Sequence, residues 1–271
     1  MGLRINTNIA ALNSNRNLRT STADLNRSLE RLSSGLRINR ARDDAAGLAV
    51  AEGFRAQVRG TQVSQRNAQD GINIVQTAEG GLTETTNILQ RIRELAVQSA
   101  NGTQSDANRA AINTEVTQLL GQIDAIALQT DFNGVAVLSA SQTITLQVGA
   151  YTSQTLAVMV SGAKTNDLGV NNVSVSTMAL AVSAISTVDV ALRSVNNLRA
   201  NLGAYQNRLE FTINTLAIQE ENAAASESAI RDADIAQETI RFTRNQILVN
   251  AGTSILAQAN VVPRTALSLL G

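Results

Sequence analysis

Leucines at positions 18, 25 and 32 recur every seven residues, with Leu29 and Leu36 between later turns. That 3-4 spacing predicts a long helix over roughly Leu12 to Leu36 with one leucine stripe along one side. Arg16, Arg19, Arg27, Glu30 and Arg31 occupy the other faces. Ser33-Ser34-Gly35 weakens the helix, because serine and glycine compete poorly for helical geometry. A basic linker, Arg37-Ile38-Asn39-Arg40-Ala41-Arg42, leads to Asp43-Asp44 and a second helix-forming run from Ala45 to Gly60. A stripe this narrow is not buried by its own helix. It demands a partner, from elsewhere in the chain or from another chain.

Composition narrows what that partner is. Aromatic residues make up 2% of the 271, Trp is absent, and the apolar content is mostly Ala, Leu, Ile and Val, which suits helices packed side by side. Pro263 is the single proline, so nothing forces a helix to stop before the very end. The net charge is zero but unevenly spread. Residues 1–66 carry eleven Arg against five acids, and residues 210–238 carry seven acids against one Arg. That distribution excludes a basic nucleic-acid-binding domain and predicts two complementary segments that meet. The opening Met1-Gly2-Leu3-Arg4-Ile5-Asn6 has no apolar core of a cleavable signal, and eighteen apolar residues never run together, so no membrane partner is expected.

Periodicity divides the chain. A long helical run over about Ala45 to Asn101 carries the heptad Val75, Leu82, Leu89, Ala96 and ends in Asn101-Gly102-Thr103. A further helix reads Ile112, Val116, Leu119, Ile123, Ile126, and Asp131-Phe132-Asn133-Gly134 stops it. The period then changes to two: Ile144, Leu146 and Val148, then Leu156, Val158 and Val160, predict a β-hairpin within about 135–165. Residues 161–176 are rich in Gly, Asn and Ser and read as surface loop. Helix resumes near Ala179 with Val188, Val195, Leu202, Leu209 and Leu216, and a last helix carries Phe242, Val249 and Leu256, with Leu248, Ile255 and Val262 beside them. The predicted fold is mainly α: an antiparallel, coiled-coil-like helical rod with a small β-hairpin insert and its two terminal helices paired. Four regions follow: 1–44, terminal helix and linker; 45–178, the first part of the core with the hairpin; 179–230, the returning helix; and 231–271, the last helix.

Several stretches together resemble bacterial flagellin, the subunit of the flagellar filament. At the front these are Ile5-Asn6-Thr7-Asn8, then Ser28-Leu29-Glu30-Arg31-Leu32-Ser33-Ser34-Gly35-Leu36-Arg37-Ile38-Asn39 with Asp43-Asp44-Ala45-Ala46-Gly47-Leu48, then Gln65-Arg66-Asn67-Ala68, and Gln90 to Gln98. At the back are Asn207-Arg208-Leu209-Glu210, Ile230-Arg231-Asp232-Ala233-Asp234, Gln246-Ile247-Leu248, Ala251-Gly252-Thr253-Ser254 and Leu256 to Asn260, then Pro263 and Leu267 to Leu270. The likeness spans about 130 residues at one end and 85 at the other, far more than a short motif. The middle departs from it. Many members carry outer domains there, and this chain has only the hairpin and loop, so it resembles a short form lacking the outer variable domains.

The resemblance implies a structural subunit that self-assembles into a helical homopolymer for motility, with both terminal regions lining an inner tube. A hook–filament junction protein or another flagellin-like axial protein is the alternative. Leu18, Leu25, Leu32, Phe242, Val249, Leu256, Leu269 and Leu270 are the expected filament-assembly residues. The implied partners are further copies of the chain, the flagellar export chaperone and secretion apparatus, hook-associated and cap proteins, and a host flagellin receptor. The implied location is the extracellular filament, reached by secretion. Family members that activate the host receptor present it an Arg, a Leu and a Glu, which match Arg91, Leu95 and Glu115. At 100° per residue Arg91 falls opposite the 75/82/89/96 row and Leu95 well off it, so both are expected on a non-core face.

Enzyme classes recede for a simpler reason. The chain has no His and no Cys, which excludes the usual N/S zinc sites, His-based triads and thiol nucleophiles. Gly80-Gly81 lacks the Lys-Ser/Thr of a phosphate loop, and Asp43-Asp44 reads as a helix N-terminus, where acids meet the positive end of the dipole. No catalytic residue, cofactor or metal is expected.

Overall fold

The computed structural model describes residues 7–268, with side chains as far as Val261. Leu269 and Leu270 lie outside the described residues. The elements are α1 (Ile9–Ser34), α2 (Ala45–Ala100), α3 (Asp106–Gln129), β1 (Asp131–Phe132), β2 (Val135–Ala136), β3 (Gln142–Gln147), β4 (Thr155–Val160), α4 (Met178–Arg231) and α5 (Ile235–Ser268). They divide between two compact units, one of residues 57–221 and one of residues 1–56 with 222–271.

In the unit of residues 57–221, α2 and α4 run antiparallel. Arg93 reaches Asp189 at 2.6 Å, Arg199 reaches Glu79 at 3.4 Å, and Gln62 and Gln65 both donate to the Glu220 carboxylate. The predicted rows Val75/Leu82/Leu89/Ala96 and Val188/Val195/Leu202 are buried in one core together with Ile112, Val116 and Ile123 of α3. Ser105 caps α3, accepting from the Asn108 amide, and Asp106 sits in its first turn. The α3 stripe is rotated slightly from its sequence reading. Leu120 and Ala127 are the buried residues, with Leu119 and Ile126 half-buried beside them, because the helix keeps 3.6 rather than 3.5 residues per turn. An 18-residue window of α4 reaches a mean hydropathy of 1.5, enough by length and composition to cross a membrane. Its Ala181, Ala184, Val188, Ala191 and Val195 are instead buried against the other helices.

Strands β3 and β4 pair antiparallel from Gln142↔Val160 to Gln147↔Thr155, which turns Leu156, Val158 and Val160 inward, as their alternation predicts. A Cβ on Gly71 would run into Leu146 and Leu209, so glycine allows the hairpin to approach α2 closely. Asp131-Phe132-Asn133-Gly134 does more than end a helix. Asn133 and Gly134 take φ of 50° and 78°, and the pair forms the turn of a second, shorter hairpin, β1–β2.

The stretch 161–176 also corrects its sequence reading as surface loop. Ala163, Leu168, Val170 and Val175 are buried in the helical core. Asp124 holds the Thr165 amide and hydroxyl, the Asn113 side-chain oxygen accepts from the Val175 amide, and Ser99 donates to the Val175 carbonyl. Its Asn166, Gly169, Asn171 and Asn172 are exposed while its apolar residues turn inward, and polar side chains of α2 and α3 satisfy the irregular backbone between them.

In the other unit, α1 and α5 pair antiparallel. The Asn8 side chain caps α1 at the Ala11 amide and also donates to the Ala259 carbonyl. Gly35, at φ 72°, ends α1 in the left-handed conformation with its amide on the Arg31 carbonyl. The linker then crosses the α4–α5 junction as a short antiparallel bridge, Leu36 opposite Asp232. The Ala233 amide bonds the Gly35 carbonyl, and the Arg37 amide bonds the Arg231 carbonyl. Ile38 is buried beneath this crossing. Asp44 caps α2 at the Gly47 amide, which is the helix-terminus role read for it from sequence.

Candidate assembly interface

The α1–α5 pair is zipped in alternating layers. On α1 the half-buried or buried positions include Ser14, Leu18, Ser21, Leu25, Ser28 and Leu32. On α5 they include Glu238, Phe242, Asn245, Val249, Gly252 and Leu256. Leu18 lies against Gly252, whose Cβ, if it had one, would come within 3.2 Å of the Leu18 side chain. Carrying that contact along the antiparallel pair in heptad steps puts Leu25 level with Asn245 and Leu32 with Glu238. The same register sets Phe242, Val249 and Leu256 level with Ser28, Ser21 and Ser14. Large residues on one helix therefore meet small or polar ones on the other, which draws the backbones together and leaves each apolar side chain only half covered. Ser28 is the only buried residue of α1.

Charge closes the junction end of the pair. Glu238 is buried, 3.7 Å from Arg31 and 3.5 Å from Arg241. Arg231 bridges Glu52 at 3.0 Å and Glu227 at 3.7 Å, and Glu30 holds Arg40 at 2.8 Å. The Asp43 carboxylate accepts from the Arg40 and Asn39 amides, and these bonds, the Arg40 one above all, hold its pKa below the usual carboxylate value against the opposing effect of burial. The basic front and acidic rear segments read from sequence do meet here.

The outer face of α5 is left open. Ile240, Ile247, Leu248 and Ile255 are exposed, and Ala236, Thr239, Ile240, Thr243, Ile247 and Leu248, with Arg244, line one shallow, mainly apolar groove. On α1, Ile9, Leu12 and Leu29 are likewise exposed. These rows leave apolar surface open on helices already paired on their other side.

The three residues matched to receptor contact are not one surface. Arg91 and Glu115 are half-exposed, and the Arg91 guanidinium donates to Glu115 at 2.9 and 3.1 Å and to Glu94 at 3.2 Å, bonds that raise its pKa, the one to Glu115 most. Leu95 is 2% exposed and belongs to the core, which corrects its expected place on a non-core face. Its row, Ile74, Gly81, Ile88 and Leu95, flanks the buried 75/82/89/96 row and is half-buried until Leu95 itself. α2 is covered by both α3 and α4, and its buried face is accordingly wider than one stripe.

Among the described residues no cluster of three or more acidic side chains is arranged to hold a metal ion. Family models described as the bacterial flagellin N-terminal helical region and C-terminal helical region match residues 5–143 and 185–270. The flagellar filament 31.3 kDa core protein of Treponema maltophilum is 45% identical, over 98% of this chain and 99% of its own length. The flagellin of Bacillus subtilis (strain 168) is 42% identical, over 99% of this chain and all of its own. The solved structure of a putative flagellar hook-associated protein from Vibrio parahaemolyticus shares the fold, with a TM-score of 0.59, 12% identity, and coverage of 70% of this chain and 100% of that one.

Proposed function

The chain belongs to the bacterial flagellin family, and from that premise we propose how its parts divide the work of a filament subunit. It is a structural protein that self-polymerises into the flagellar filament. Near-complete coverage of filament core proteins and flagellins favours the filament over the hook–filament junction. The role is mechanical rather than catalytic.

The terminal regions 1–44 and 231–271, to which the α1–α5 pair belongs, are the assembling end. Leu18, Leu25, Leu32, Phe242, Val249 and Leu256 hold the two helices together, while the outer rows of both helices, with Leu269 and Leu270, are covered by neighbouring subunits in an inner tube. The observation that carries this reading is the half-finished burial of that pair beside the open apolar face of α5. Before assembly the same face suits a cytosolic export chaperone, which would shield it until the chain passes through the flagellar secretion apparatus to the cell exterior. Cap and hook-associated proteins meet the subunit at the filament ends. Deleting Ala236–Gly271 tests the division: a soluble helical protein that no longer polymerises is expected, and filaments in negative stain after that deletion would refute it.

A host flagellin receptor would read the exposed Arg91–Glu115 pair on the monomer. Leu95 acts from below, fixing the helix surface that carries Arg91. Arg91→Ala and Glu115→Ala are expected to lower monomer potency in a receptor-reporter titration roughly tenfold or more, as loss of a central Arg does at many interfaces. Wild-type potency in both would remove this role.

A further inference from the structure

Phe211 is 71% exposed, the most exposed large apolar side chain among the described residues, in a chain with only four Phe. Ile218, 61% exposed, lies two turns on, along the same outer face of α4, opposite the buried Leu209 and Leu216. Arg208 stands at one end of this row and Glu221 at the other, both exposed. On α2 a second exposed row runs Arg59, Val63, Arg66, Asp70, with Val63 46% exposed, opposite the buried Ser64 and Ala68. None of these five charged side chains forms an ion pair with an opposite charge among the described residues.

The rows complement each other in one direction only. Read forward, α2 presents basic, apolar, basic, acidic. Read backward, α4 presents acidic Glu221, apolar Ile218, aromatic Phe211 and basic Arg208. Set antiparallel, Arg59 meets Glu221, Val63 meets Ile218, the Arg66 guanidinium meets the Phe211 ring, and Asp70 meets Arg208. The spans agree at 1.5 Å per residue: about 17 Å from Arg59 to Asp70 and about 20 Å from Arg208 to Glu221. Set parallel, Arg59 would face Arg208. The two rows do not meet within one chain, because each lies opposite the face its helix turns to the shared core.

We infer that the α2 row of one subunit docks on the α4 row of a second copy. The inference rests on the filament reading and names a lateral contact for it. Because α2 and α4 are antiparallel within a chain, an α2-to-α4 contact between copies pointing the same way is also antiparallel, the orientation the charges require. The contact joins unlike surfaces, so it repeats without closing.

The chain has no Cys, so engineered cysteines read the contact directly. The full-length double variant Val63→Cys, Ile218→Cys is polymerised, oxidised and run under denaturing, non-reducing conditions. A ladder of covalent oligomers is expected from filaments, at least about tenfold more than from the depolymerised protein, as a high local concentration in the polymer requires. Independently, Arg59→Glu and Glu221→Arg are each expected to raise the critical concentration for polymerisation about tenfold, through like-charge juxtaposition, and the double exchange to restore most of it. Wild-type filaments with no ladder, and single exchanges without effect, overturn the contact and leave the filament reading standing. Dimers from Ile218→Cys alone overturn it in favour of a symmetric α4–α4 contact. Failure of the wild-type chain to polymerise at all removes the reading on which the inference rests.

Discussion

In the bundle of residues 57–221, heptad residues such as Val75, Leu82 and Leu89 are closed to solvent, whereas in the α1–α5 pair Leu18, Leu25 and Leu32 stop at half burial. Both regions use the same seven-residue spacing. The difference lies in how many elements cover each helix. In the bundle α2 is enclosed by α3, α4 and the β3–β4 hairpin, and Leu95, off the main stripe, is drawn into the core. In the terminal pair each helix has one neighbour, and alternate positions are given to Ser, Asn, Gly or Glu. One region is closed within the single chain; the other is left half open, which is why we propose that other copies complete it.

Hydrogen exchange should separate them by the widest margin. In monomer, amides around Leu89 and Ile123 are expected to exchange at least about 10³-fold more slowly than those around Leu25 and Val249, a gap of about 4 kcal/mol in local stability. In filaments the terminal pair should gain protection. Slow exchange at Leu25 or Val249 in a verified monomer would break the comparison.

Core truncations give the next largest effect. Leu89→Ala should destabilise the monomer by about 2–5 kcal/mol in denaturant unfolding, since its cavity is walled on all sides. Leu18→Ala should cost about 1 kcal/mol or less in the same experiment while raising the critical concentration for polymerisation. Equal losses in monomer stability would mean that the terminal pair is already a finished core.

The smallest effect concerns Asp43. Its carboxylate is favoured by the Arg40 and Asn39 amides, so its folded pKa is depressed. The stabilisation it lends is therefore present above the ordinary carboxylate pKa of about 4 and is lost as pH falls through the lower folded value. Asp43→Asn should flatten that part of the acid unfolding of monomer below about pH 4. Wild-type acid dependence in the variant would show that the Arg40 and Asn39 amides do not hold the carboxylate.

Much of this was legible in the sequence because helices write their partners at a fixed period. The rows Leu18/Leu25/Leu32 and Val188 to Leu216, and the alternation of Leu156, Val158 and Val160, each located an element and its inner face. What escaped was decided by neighbours rather than by period. Leu95 is buried because a second helix covers its row, which a single stripe does not announce. The segment holding Ala163, Leu168, Val170 and Val175 follows no period at all, its burial enforced by Asp124, Asn113 and Ser99 from distant helices. The β1–β2 hairpin has two-residue strands, too short to alternate, and only Asn133-Gly134 signals it. On α4 the Phe211/Ile218 row was masked by the stronger Leu209/Leu216 row beside it.

The layering of α1 against α5 repeats every seven residues, so it reads the same after a slide of one heptad, about 10 Å along the axis. Packing of that kind is a ruler with no zero. The zero is supplied at the junction: seven residues beyond Arg31 stands Ile38 and seven beyond Glu238 stands Asn245, so the buried ion pair has no second place to form. The Leu36–Asp232 bridge fixes the same mark from the backbone. Distances along the terminal pair are thus counted from one origin, and every copy in a filament counts from the same one.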